Sequence, residues 1–496
     1  MSKPLAPGSH APVFHRARKV AGRFVVTSLE GEWIVLEPDE YQALSRNEVA
    51  PESELGERLA KKNLLASRYD ASAATRALAR RKRFLHHGPN LHILVVTLRC
   101  NQTCVYCHAS RAKADEVGTD MTPEIARRAV DLALSTTSPA VTLELQGGEP
   151  LLAFPVIVEA VEHAIARSGE LGKRLDVTLV TNLSAMDDAK LEWLLDHRVQ
   201  ICTSVDGPAD LHDRQRKLPG ASAYSKAAYW IRRINDAYQA RGLDPSVYRV
   251  EALLTTTRET LPRWKDVIDT YAGLGCRALF LRPVDPFGFG ARAGARVGYD
   301  VAEFLDFYRS AVREMIRLNL EGVEILERFA SIFLSKILHS DDPNYLDIRS
   351  PCGAGIGQVA YGYDGGIFTC DEGRMLHEDG DDTFLIGRVG ESKYRDLMGH
   401  KTVRALAIAS NLDGQPSCSS CAYLPYCGVC PVHNHRTQGS IFGRMPESRW
   451  CAVHMGIQDF LFELLATAEP EVLRVLERWT EGRPRDHFVH SPQPPT

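Results

Sequence analysis

From residue 91 to about residue 283 the chain alternates short apolar runs with amphipathic stretches, and this alternation restricts its fold more than any other feature. The apolar runs cover residues 91–97, 140–145, 175–181, 199–205, 248–255 and 278–282. Most are continuous, as in parallel strands covered on both faces. Between them, residues 123–135, 154–168, 188–197, 224–241 and 262–274 carry apolar residues at helical spacing. Strand–helix units in series predict an α/β class, with an all-parallel sheet and right-handed crossovers. Six strands make a partial (β/α)6 TIM-like barrel, with its active site at the C-terminal ends of the strands.

Other regions flank this core. Residues 1–88 read as a small α+β module, with strands at 23–27 and 32–36 and a turn at Glu30-Gly31. A helix opens at Pro38-Asp39, another spans about 52–65, and a basic helical stretch at 75–84 carries Arg76, Arg80, Arg81, Lys82 and Arg83. Gly88-Pro89 marks the boundary to the core, placed at 89–300. Residues 301–350 read as a bridge of two helices, 301–319 and 325–340. A cysteine-rich domain at 351–460 and a C-terminal helix and tail at 461–496 complete the chain. The tail from Arg483, with Pro492, Pro494 and Pro495, is expected to be disordered. A net charge of −4 argues against a nucleic-acid binder. The start lacks a signal-peptide pattern, and no apolar run approaches the ~20 residues that span a bilayer, so a cytoplasmic protein without membrane partners is expected.

Twelve cysteines in a reducing compartment are not a disulfide framework. Three fall within residues 100–107 and five within 418–451, a clustering that points to metal or iron–sulfur ligation. Cys100, Cys104 and Cys107 follow the first strand directly. Three thiolates can hold three irons of a [4Fe–4S] cluster and leave the fourth iron open to a cofactor. Zinc is the competing reading of such a spacing.

The segment Cys100-x3-Cys104-x2-Cys107 resembles the signature of the radical S-adenosylmethionine (SAM) superfamily. The resemblance implies that the open iron chelates SAM and that its reductive cleavage yields a 5′-deoxyadenosyl radical. It makes the three cysteines ligands and puts Tyr106 beside the adenine. Gly147-Gly148-Glu149, after the second strand, resembles the family motif that holds the SAM amino group. Glycines admit close backbone approach, and a carboxylate accepts from an ammonium. Asn182 follows the third strand. Ser204-Val-Asp206-Gly-Pro, then His212-Asp213 and Arg216, resemble a segment of peptide-modifying members, in which Ser and Asp lie near the ribose and Arg pairs with the SAM carboxylate. Cys202 and Cys276 stand outside the clusters. Buried structural thiols are the default for them, and a hydrogen-atom donor for epimerisation is the functional alternative.

Cys352, Cys370, Cys418, Cys421, Cys427, Cys430 and Cys451 resemble the seven-cysteine SPASM domain, with a two-residue gap before Cys430 where the family usually has three. The resemblance implies two auxiliary [4Fe–4S] clusters, making three in all. Cys352, Cys370 and Cys430 would serve the nearer one, and Cys418, Cys421, Cys427 and Cys451 the farther. An open iron on the nearer one could take substrate, water, or His433 or His435. Read alone, Cys-x2-Cys-x5-Cys-x2-Cys would be structural zinc. Asp371 follows Cys370, where sulfatase-maturing members carry a general base.

The order of modules resembles the maturases of ribosomally made peptides. The start GRFVVTSLEGEWIVLEPDEY resembles most the HxsB maturases of His-Xaa-Ser systems, and the first module resembles leader-binding modules that add the peptide as a strand. The expected activity is radical SAM oxidoreduction on a precursor peptide, by side-chain crosslinking. Formylglycine formation and epimerisation are the alternative reactions, and a zinc-stabilised binding protein is the non-enzyme alternative. A ribosomal precursor peptide, a flavodoxin- or ferredoxin-type electron donor and a second maturase are the implied partners.

Overall fold

Six parallel strands follow one another across the main sheet in chain order, and each hands its C-terminal end to the same rim. The structure is a computed structural model and describes residues 12–343, 345–481 and 490. In chain order the strands are β1 His15–Val20, β2 Arg23–Ser28, β3 Trp33–Leu36, β4 Leu91–Thr97, β5 Thr103–Cys104, β6 Ala140–Gly147, β7 Arg174–Val180 and β8 Gln200–Ser204. There follow β9 Arg216–Lys217, β10 Glu251–Thr256, β11 Ala278–Pro283, β12 Leu326–Glu327, β13 Gln358–Tyr361, β14 Gly366–Phe368 and β15 Leu385–Arg388. The main sheet runs β12-β11-β10-β8-β7-β6-β4-β13-β14-β15. Within this sheet every pairing from β4 across to β11 is parallel. All six expected core strands are present, with helices between them.

The expectation of an all-parallel sheet is corrected at one edge. β13 pairs parallel with β4, and β14 and β15 then add antiparallel. The cysteine-rich region thus extends the barrel sheet, and β4 is flanked on both sides. Gly365, at φ +84°, makes the turn between β13 and β14 that this reversal needs. Burial of Leu94, Val95 and Val96 matches a strand covered on both faces.

The first module has three antiparallel strands rather than two, in the order β1-β2-β3. β1, with the sequence HRARKV, escapes a hydrophobicity reading because its cations are spent on tertiary contacts. Arg18 makes two hydrogen bonds to the Asp459 carboxylate, at 2.6 and 2.8 Å, and Arg16 donates to the Ser419 carbonyl at 2.7 Å. Ala21 and Gly22, both at positive φ, form the hairpin turn between β1 and β2. Arg81, the last residue of the helix Ala71–Arg81, donates to the carbonyls of Pro425 and Lys336, so that part of the basic stretch is an anchor.

The bridge consists of the helices Val301–Leu320 and Arg328–His339. The first begins with a reciprocal cap between Asp300 and Glu303, and the second with the Glu327 carboxylate accepting from the Ala330 amide. The tail expectation from residue 483 falls mostly outside the described residues. His490, which is described, pairs through its backbone with Leu175 on β7. The expectation about a signal peptide concerns the start of the chain, of which residues 1–11 also lie outside them. Among the described residues, no helix is long and apolar enough to cross a membrane.

Candidate functional site

β4 ends at Thr97 and delivers the first cysteine loop to the rim. The loop is held on three sides. The Cys100 amide donates to the Ala112 carbonyl at 3.2 Å. β5 pairs antiparallel with β9, which sets Cys104 opposite Arg216. The Phe289 amide donates to the Cys107 carbonyl at 2.8 Å. Cys100, Cys104 and Cys107 line one cavity of about 200 Å³, shared with Gly147, Gly148, Asn182, Ser204, Arg216 and Asp371. The ends of β4, β6, β7 and β8 therefore converge here with Asp371, Arg374 and Met375 from the cysteine-rich region.

The glycines also have a structural role beside the loop. A Cβ on Gly147 would lie 2.2 Å from the Thr97 carbonyl oxygen, and one on Gly148 2.4 Å from those of Leu98 and Arg99. The side a Cβ would take is filled by the backbone of the cysteine loop, and both glycines line the cavity. The Gly148 amide donates to Thr97 and the Glu149 amide to Arg99. Glu149 is fully buried and does not line the cavity. Its carboxylate accepts from the Thr181 hydroxyl at 2.6 Å, the Asn182 amide at 2.7 Å and the Leu151 amide at 3.0 Å. Burial pushes this carboxyl up to about 7 against the pull of those donors. Glu149 thus clamps the end of β6 to the end of β7. Asn182, placed by that clamp, donates to the Asn101 side chain at 3.2 Å.

Tyr106, Asp206 and Arg216 form one buried unit. Asp206 Oδ2 accepts from the Tyr106 hydroxyl and, at 3.0 Å, from Arg216 Nε. The guanidinium lies over the Tyr106 ring, 5.3 Å from its centroid. Burial drives the Tyr106 phenol well up, so it stays a donor. Asp206 Oδ1 is buried with no partner. His212 accepts from the Asp206 amide at 3.2 Å, and burial takes its pKa down to about 4, so it is neutral there. Asp213 accepts from the Tyr224 amide. His212 and Asp213 therefore shape the loop that presents Asp206.

In the second cysteine region, Cys352, Cys370 and Cys430 are buried in one apolar cluster with Phe287, Phe384 and Leu406. Cys418, Cys427 and Cys451 border another, around Leu412, Leu424, Val429 and Met445, and Cys421 is an electrostatic neighbour of Cys427. The two sets expected from the sequence are thus the two sets brought together in space. The short gap before Cys430 is accommodated by Gly428, where a Cβ would meet the Arg349 amide nitrogen at 2.2 Å. His435 is paired with Asp381 at 2.7 Å. Cys202 lies on β8 and Cys276 is buried beyond the helix Trp264–Gly273, and neither lines the cavity of the first cysteine loop.

All twelve cysteines are free thiols. Burial pushes the Cys100 thiol up to about 12 and the Cys104 thiol higher still. Buried thiols of this kind become thiolates only beside compensating positive charge, which irons supply. Three sulfur donors around one cavity, with Arg216 beside them, fit a cluster that keeps one iron open. Among the described residues, no three His, Cys, Asp or Glu side chains are drawn in as tightly as a single chelated ion would require.

Two residues at the site escape sequence reasoning. Arg374 is almost fully buried and pairs with Asp371 at 2.7 Å, and their i, i+3 spacing on the helix Asp371–His377 was the available signal. Gly288, at φ +53°, lies where a Cβ would be 2.8 Å from the Cys107 carbonyl oxygen and 2.6 Å from that of His108. The Gly-Phe-Gly following the β11 strand was its trace.

Residues 94–239 match the family model of the radical SAM superfamily. The AdoMet-dependent heme synthase of Oleidesulfovibrio alaskensis is 24% identical over 71% of this chain and 84% of its own length. Two solved structures share the fold. Native anSMEcpe with bound AdoMet and Kp18Cys peptide aligns over 79% of this chain and 100% of that one, at 17% identity and a TM-score of 0.63. SuiB of Streptococcus suis bound to the precursor peptide SuiA aligns over 88% and 98%, at 13% identity and a TM-score of 0.54. The core is a radical SAM core with a mixed sheet, and with the cysteine-rich region it makes a radical SAM/SPASM fold.

Proposed function

We propose that this protein is a radical SAM enzyme that oxidises a side chain of a peptide or protein substrate, in the manner of a sulfatase-type maturase. The observation that carries the reading is the position of Asp371. It comes from the cysteine-rich region, yet it lines the cavity of Cys100, Cys104 and Cys107. Three iron–sulfur clusters and SAM, when bound, supply the hydrogen-abstracting radical and the acceptor for the electron that follows. Cys100, Cys104 and Cys107 would hold the first cluster, and the two spatial sets of SPASM cysteines the others. Arg216, fixed by Asp206, offers its guanidinium to a carboxylate, with Ser204, Asn182 and Tyr106 around the nucleoside. Asp371, oriented by Arg374, takes the proton from the substrate group being oxidised. The thiol-rich composition suits the cytoplasm and an electron donor of the flavodoxin or ferredoxin type.

The second reading is side-chain crosslinking of a ribosomal precursor. The three-stranded first module favours it, because a small open sheet can take a leader peptide as a fourth strand. The HxsB-like start is the finer form of this reading, and a second maturase would be its partner.

Co-expression with a candidate substrate, followed by mass spectrometry and hydrazide trapping, tests both. A product that has gained a hydrazide-reactive carbonyl supports oxidation. A loss of two hydrogens without a carbonyl moves the assignment to crosslinking. Anaerobic reduced protein that holds iron yet never forms 5′-deoxyadenosine would falsify both.

A further inference from the structure

The helix Asp371–His377 has a second charged face that the proposed oxidation does not use. A cavity of about 380 Å³ lies on that side, lined by Cys430, Glu372, Asp347, Arg282, Tyr345 and His433. Glu372 Oε2 is sealed from solvent and has no hydrogen-bond partner. Arg282, in the same cavity, reaches Glu372 by charge but gives Oε2 no hydrogen bond, and a buried carboxylate oxygen is rarely left without one. Cys352, Cys370 and Cys430 give three sulfurs where a four-iron cluster has four corners.

The neighbours of these sulfurs narrow the choice of a fourth donor. The charges of both Glu372 and Asp347 reach Cys352, Cys370 and Cys430. His433 is buried with an unpartnered Nδ1, but the charges it feels are those of Asp285 and Arg449, and its ring lies against Trp450 at 5.5 Å. His435 is taken by Asp381. Of the two carboxylates, Glu372 is set by the turn that sets Cys370. The Cys370 sulfur caps this helix, accepting from the Gly373 amide at 3.4 Å, and Glu372 is the second residue inside the cap. One helical turn therefore presents a sulfur and a sealed oxygen together.

We propose that Glu372, through Oε2, is the fourth protein ligand of the cluster held by Cys352, Cys370 and Cys430. This assignment rests on reading the region as cluster-binding. It closes that cluster to substrate and leaves it to serve in electron transfer. A carboxylate is a harder and weaker donor to iron than a thiolate, so the corner it holds is the most readily lost on oxidation.

The test uses the full chain with its clusters rebuilt, and reads iron content and electron paramagnetic resonance before and after mild oxidation. Wild-type protein should keep about twelve irons. Glu372→Gln should lose about one iron per chain and show a three-iron signal. Glu372→Cys should keep all of its iron, with the midpoint potential of one auxiliary cluster shifted negative. It also serves as the control should Glu372→Gln fail to fold. Asp347→Asn and His433→Ala should behave as wild type. The assignment is overturned if Glu372→Gln and Glu372→Cys both match wild type, or if Asp347→Asn or His433→Ala loses the iron instead. Wild-type protein carrying zinc in place of iron would end the cluster reading itself, and is told apart by metal analysis alone.

Discussion

Asp371 and Glu372 are consecutive in the chain, yet they line two different cavities, one with Cys100, Cys104 and Cys107 and the other with Cys430. The first turn of one short helix is the partition between the two sites. On the proposed roles, chemistry on one side and electron acceptance on the other should be separable by substitution.

Asp371→Asn keeps the size of the side chain and removes the base. Substrate turnover should fall by about 100-fold or more, the scale of a lost general base. Release of 5′-deoxyadenosine should continue, because no residue that holds SAM is touched. Chromatography of nucleoside and peptide from the same reaction checks the uncoupling. Equal loss of both products would remove Asp371 from its proposed role.

Arg216 and Asp206 differ in how they fail. Arg216→Lys keeps a charge but cannot make the planar fork to a carboxylate, and SAM affinity should drop by about 10- to 100-fold in titration calorimetry. Asp206→Asn leaves the buried guanidinium without its anion. Removing one partner of a buried pair costs about 3–5 kcal/mol, so the melting temperature should fall as well as the affinity. An Asp206→Asn variant with unchanged melting would show that the pair does not hold the loop.

Glu149 gives a pH signature with a definite sign. Its carboxyl rises on folding from an ordinary 4.5 to about 7, so between these values the folded chain binds more protons than the unfolded one. Stability from this group is present at low pH and is lost as pH rises from about 4.5 to 7. Glu149→Gln should flatten that part of the curve of melting temperature against pH. It should also lower stability overall by about 1–3 kcal/mol, since an amide nitrogen would face the donors of Thr181 and Asn182. A wild-type curve that rises across this range would contradict the assignment.

Gly148→Ala would push a methyl group to 2.4 Å from two carbonyl oxygens of the first cysteine loop. Overpacking costs about 1–3 kcal/mol, and here it displaces backbone that carries Cys100. The expected result is loss of about four irons per chain while the other two clusters keep their signals. Unchanged iron would mean that the loop can yield without moving the cysteine.

The six core strands were legible because most are short continuous apolar runs alternating in series with amphipathic stretches, and the alternation identifies them. The cysteine sets were legible because spacing along the chain is itself the motif. β1 was not, because its arginines bind residues some 400 positions away, such as Asp459, and long-range ion pairs leave no local pattern. Gly147 and Glu149 show a subtler limit. Their place at the end of β6 was readable, but the partners they face are backbone and neighbouring strand ends, which only the folded chain reveals.

β4 is hydrogen-bonded to β6 on one side and to β13 on the other, in a register that sets Leu91 beside Gln358 and Leu94 beside Tyr361. The strand that carries the first cysteine loop and the strand that leads toward Cys370 are thus rungs of one lattice. Separating the first cysteine site from the second would mean breaking a row of backbone hydrogen bonds, so the spacing between the two sites is set by the sheet itself.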